Sequence, residues 1–126
     1  MFGLFSRARL TERQATLLLL CLMEAHLQGY MKSPRAIDEA QRAQCISLWL
    51  RSNGLKAGLM FRTRAVAVSN VLFGQLMARL ADDDIPVAHA REQIAAACAN
   101  PDAPMNDQVA AIHALCHAFA CANKMV

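Results

Sequence analysis

The chain has 126 residues, 56% of them hydrophobic and 6% aromatic, with five glycines, four prolines and a formal net charge of +3. So apolar a composition excludes intrinsic disorder, and the length suits one domain that buries roughly two-thirds of its unfolded surface. The longest run of large apolar side chains, LLLLCLM at 17–23, falls far short of the roughly 20 residues a spanning helix needs, so no transmembrane segment is expected.

Ala, Leu, Met, Gln and Arg dominate, and β-branched residues gather only in VAVSNV at 66–71. That is the chemistry of helices. It predicts an all-α fold, a compact bundle of about five helices forming one domain over 1–126.

Residues 1–10 (MFGLFSRARL) place Phe2, Leu4 and Phe5 ahead of Arg7 and Arg9. This short apolar and basic tail is expected to fold over the bundle or to enter a partner, Phe2 and Phe5 being candidate contacts. Glu12, Arg13 and Gln14 before the leucine run, and Glu24 and His26 after it, argue against a signal peptide. The first helix should open at Thr11, an N-cap with Gln14 three residues on as in a capping box, and end at Gly29. The second should open with Ser33 as N-cap and Pro34 in its first position, and stop at Asn53-Gly54 in a left-handed turn.

The third segment, about 56–81, carries apolar side chains around almost its whole circumference, with Arg64, Gln75 and Arg79 as a partial polar stripe. A helix apolar nearly all round is a buried one, so this segment is expected to be the central helix. In ADDDIP (81–86), Asp84 reads as the next N-cap with Pro86 in the first turn, and that helix should end near Asn100-Pro101. Asn106 caps the last helix, with Asp107 in its first turn.

The last helix contains HALCHAFAC (113–121). At 100° per residue, Cys116, His117 and Cys121 all fall within about 80° of His113, opposite Ile112, Leu115, Phe119 and Ala122. His113, Cys116, His117 and Cys121 are therefore a candidate metal face for zinc or another transition metal. Paired histidines at i,i+4 reach one ion, and a thiolate supplies a third ligand. A closed structural site needs ligands from a second element, for which His89, Cys98, Cys45 and His26 are available. Ala114 follows His113 where a metalloprotease would carry glutamate, and no CxxC occurs, so hydrolytic zinc chemistry is not expected. The plainer alternative is an ordinary alanine-rich helix with cysteines as small apolar fillers and no cofactor.

Charge is unevenly distributed. Between Glu39 and Asp82 no acid occurs, while Arg42, Arg51, Lys56, Arg62, Arg64 and Arg79 supply six positive charges; from Asp82 onward six acids face two bases. Such asymmetry suits either a polyanion or a charge-complementary protein partner. WLRSNGLKAGLMFRTRA (49–65) has the outline of helix, glycine turn and basic second helix. That second helix is too apolar to lie in a groove, so nucleic-acid binding through the basic 42–79 region is the lesser alternative. Arg42, Arg51, Arg62, Arg64 and Arg79 are instead candidate partner contacts.

LLLLCLMEAHLQGYMKSPRAIDEA, within residues 15–52, resembles the helix–turn–helix opening of the tellurite-resistance TerB-like helical domains. The likeness spans under a third of the chain, and Gln28 stands where that family carries an acid, so no metal or charge role passes to it.

No phosphate loop, nucleophile elbow or Cys–His signature is present. Five cysteines, an odd number, suit a reducing compartment. The expectation is a small non-enzymatic cytoplasmic protein of bacterial or phage type that binds protein as an adaptor, inhibitor or immunity-type module. Its surplus apolar surface would most simply be covered in a homodimer.

Overall fold

The computed structural model describes residues 10–34 and 37–126, and Phe2 and Phe5 lie outside them. The described residues form five helices and no strand: α1 (Glu12–Lys32), α2 (Glu39–Ser52), α3 (Leu59–Asp82), α4 (Val87–Ala99) and α5 (Asp107–Ala122). No helix among them is long and apolar enough to cross a membrane.

The expected all-α bundle is what the chain forms, but its centre is α1. This helix packs on all four others, most extensively on α4 and α5. Leu18, Leu19 and Leu20 are consecutive and each wholly buried, as are Met23 and Leu27. Three successive residues sweep 200° of a helix, so neighbours must close on α1 from most directions. Each such side chain contributes about 1.5–3 kcal/mol by leaving water.

The helix at 59–82, expected at the centre, packs mainly on α2. Its buried arc carries Ala65, Val68, Leu72, Phe73, Leu76 and Leu80, while Met60, Ala67, Val71, Gly74 and Ala78 on the opposite side are exposed. Its wheel looks apolar all round because α3 has two apolar faces, of which the bundle covers one.

Caps set the boundaries. Thr11 and Gln14 form the expected capping box. The first helix does not stop at Gly29, however; it continues to Lys32 and is capped at Ser33. A Cβ on Gly29 would sit 2.5 Å from Ile37 Cγ2, so this glycine serves close packing inside a helix rather than termination. The second helix opens not at Ser33 but at Asp38, whose carboxylate accepts from the Gln41 backbone N–H while the Gln41 side chain accepts from the Asp38 N–H. Both sites offer a legitimate cap, and the reciprocal box at Asp38 satisfies two orphan donors at once.

Three helices end alike. Gly54, Asp84 and Lys124 take left-handed backbones (φ 66°, 54° and 56°). The residue after each, Leu55, Ile85 and Met125, returns its N–H to a carbonyl five residues back, at Leu50, Leu80 and Ala120. This is the Schellman arrangement, and the following apolar side chain folds onto the core. Asp84 therefore ends α3 rather than capping α4, whose N-cap is Pro86. Asn106 caps α5 as expected, accepting from the Val109 N–H at 2.9 Å.

Candidate functional site

The last helix docks through Val109, Ile112, Cys116 and Ala120, all buried, while Leu115 and Phe119 lie half-buried at the flank and Ala122 is exposed. The docking line is thus rotated from the expected one, with Leu115 and Phe119 packing against the core from its edge. The rotation divides the four candidate ligands. Cys116 is completely buried and points into the core, His113 is partly covered, and His117 and Cys121 face solvent.

His117 and Cys121 meet Glu12, the first residue of α1. His117 Nε2 lies 3.5 Å from Glu12 Oε2 and 3.6 Å from Cys121 Sγ, and Cys121 Sγ lies 3.8 Å from Glu12 Oε1. This is the one group of three such donors that converges among the described residues. Glu12 was not among the sequence candidates, because nothing in linear spacing joins residue 12 to residue 121. Its only sequence signal is its place at the start of the helix that the last helix covers.

His113, one turn before His117, lines an open pocket of about 400 Å³ beside Glu12, Arg13, Pro101 and His117. Burial lowers its pKa, as do the neighbouring His117 and Arg13, so the ring favours the neutral form. The Cys121 thiol is held above its ordinary range by partial loss of water and by the Glu12 carboxylate, both its charge and its hydrogen bond. A bare thiolate is disfavoured beside that carboxylate, and an added cation would reverse the balance. A Cys–His–Glu relay of the hydrolase kind is not formed. Nε2 of His117 faces both the thiol and the carboxylate, whereas a relay uses one ring nitrogen for each.

The other candidate ligands lie elsewhere. Cys98 on α4 shares a hydrogen bond with Cys21 on α1, and that bond together with burial raises the Cys98 thiol. Cys116 stands in the same part of the core, pushed up to about 12 by burial and by Cys21. Burial likewise raises the half-buried Cys45, His89 is exposed, and all five cysteines are free. Protonated and enclosed, Cys98 and Cys116 behave as small apolar side chains. His26 is fully buried against Phe73, ring centroids 4.6 Å apart, and neither ring nitrogen finds a partner among the described residues.

The five arginines offered as partner contacts do not form one stripe. Arg42 donates to the Ile37 carbonyl, Arg64 to that of Lys124, and Arg79 pairs with Asp83 at 3.8 Å. Arg51 and Arg62 converge with Lys56 around a pocket of about 470 Å³ between the end of α2 and the start of α3. Leu48 on α2 and Leu59 and Met60 at the start of α3 are exposed, Met60 by 77%, and Val71, on the same side of α3 as Met60, is 58% exposed.

Comparison with known proteins adds no relative: no family model matches the chain, and no curated protein or solved structure matches it.

Proposed function

We propose that this chain acts by binding protein, with the outer face of α3 as its docking surface and a second copy of the chain as the occupant. The observation that carries the reading is the second apolar face of α3. Met60, Ala67, Val71 and Ala78 recur at helical spacing on one exposed side, with Gly74 among them. Nothing lies within 4 Å of where a Gly74 Cβ would stand, so a partner helix can approach the backbone closely there. Contiguous apolar surface of this kind is characteristic of interfaces.

Charge supports an antiparallel second copy. Lys56 lies just before α3 and Arg62 and Arg64 in its first turns, while Asp82 ends it and Asp83 and Asp84 follow, Arg79 offsetting one of these acids by pairing with Asp83. A two-fold pair of antiparallel α3 helices sets the basic end of one against the acidic end of the other and opposes their dipoles favourably.

Light scattering on the full chain over a range of concentrations tests this, alongside Ala67→Glu and Val71→Glu. A dimer that both exposed substitutions turn into a monomer of unchanged helicity supports the reading. A monomer that still binds a hydrophobic dye, lost in Val71→Glu, keeps the docking face but replaces the second copy by another protein. A monomer that binds no dye overturns both.

A further inference from the structure

The Glu12, His117 and Cys121 cluster is independent of the α3 face and lies where α1 begins and α5 ends. One donor atom from each residue lies within 4.8 Å of the other two, close to the spacing of ligands around a single ion. For a tetrahedral zinc ion bound to sulfur at about 2.3 Å, nitrogen at about 2.05 Å and carboxylate oxygen at about 2.1 Å, the S···N, N···O and S···O edges are about 3.6, 3.4 and 3.6 Å. The observed separations are 3.6 Å from Cys121 Sγ to His117 Nε2, 3.5 Å from that Nε2 to Glu12 Oε2 and 3.8 Å from Sγ to Glu12 Oε1, so the two edges to Glu12 end on different oxygens of its carboxylate and a modest turn of that exposed group brings one oxygen to the ion. All three contacts are long, so each is a weak hydrogen bond that a metal ion can replace.

We infer that Glu12, His117 and Cys121 form a binding site for a divalent transition metal of the zinc class. The mixed sulfur, nitrogen and oxygen set suits a borderline cation rather than magnesium or calcium, which take oxygen alone. Three protein ligands leave a fourth position open to water or an exogenous ligand. The ligands come from two rigid helices. His117 and Cys121 stand one turn apart on α5 and share a face, and Glu12 is the first residue of α1, directly after its Thr11 cap. The adjoining pocket, walled partly by His113 and Arg13, is the space next to the ion. Binding exchanges the Cys121 thiol proton for the metal, so one proton is released to solvent as the S–metal bond forms.

Cys116 and His113 have no part in this ligand set, and that separates it from a site confined to the last helix. The ion would also tie α1 to α5 across more than a hundred residues of chain, raising thermal stability when bound.

Equilibrium dialysis of the purified full chain against zinc, with cobalt as a spectroscopic probe, tests the site. Expected is one metal per chain, a cobalt spectrum with thiolate charge transfer, and a raised Tm. Cys121→Ser, His117→Gln and Glu12→Gln should each weaken binding at least tenfold, while Cys116→Ala and His113→Gln retain it. All three ligand residues are exposed, so circular dichroism should show folded variants. Binding that survives Cys121→Ser and Glu12→Gln, that disappears in His113→Gln, or that never reaches a defined stoichiometry overturns the assignment. Metal occupancy is read separately from oligomeric state, so either conclusion can fail while the other stands.

Discussion

Replacing His26 by phenylalanine should remove much of the protein's sensitivity to mild acid. The ring is enclosed by the core, stacked on Phe73, with both nitrogens unpartnered among the described residues. Burial, helped by the charge of Arg42, lowers its pKa from 6.5 to about 4. The unfolded chain therefore binds the proton more readily, and the stability this ring permits is complete above pH 6.5 and lost as pH falls towards 4. At 1.36 kcal/mol per pKa unit, the loss between about pH 7.5 and about pH 4.5 is at most about 2.5 kcal/mol. His113 acts in the same direction but remains in both proteins, so the comparison subtracts it. Urea unfolding of the parent and of His26→Phe at the two pH values measures the difference. The variant should gain about 1–2 kcal/mol at neutral pH, since two desolvated polar atoms vanish while the stack on Phe73 is kept. It should lose correspondingly less on acidification. Equal losses in the two proteins would refute the reasoning.

Two further outcomes concern the backbone. Gly29→Ala should destabilise by about 1–3 kcal/mol through the clash with Ile37 Cγ2, and Ile37→Ala in the same chain should recover part of that loss. Lys124→Gly should stabilise by about 1 kcal/mol, because a side chain at left-handed φ is relieved; Asp84→Gly should gain less, and Gly54→Ala should lose about 1 kcal/mol. Midpoints and m-values from chemical denaturation distinguish these from effects on the unfolded chain.

The helices announced themselves where the termination chemistry was singular. Thr11 with Gln14, Asn53-Gly54, and Asn106 each have no nearby competitor, and each lies where it was expected. Between residues 29 and 41 three signals compete, and only tertiary packing chooses among them: Ile37 lies against Gly29, so the chain stays helical past it. Asp84 deceived because an aspartate serves equally as an N-cap or as a left-handed C-terminal residue. A wheel counts apolar positions and not neighbours, so it could not tell the surrounded helix from the one with a spare face. The same limit governed the ligands. His117 and Cys121 were legible from i,i+4 spacing, whereas Glu12 depends on α5 returning to the start of α1, and Cys116 on which side α5 turns inward.

That the surrounded helix is also the earliest of the five has a consequence for how the chain is made. During synthesis the leucines of α1 emerge first, and their principal covers, α4 and α5, follow much later; roughly 75 residues separate Lys32 from Asp107. At about 5–20 residues per second, the part of α1 that α4 and α5 cover waits several seconds for them. A ribosome pausing within α3 would prolong that interval, leaving this surface open until the last helix arrives to close over the first.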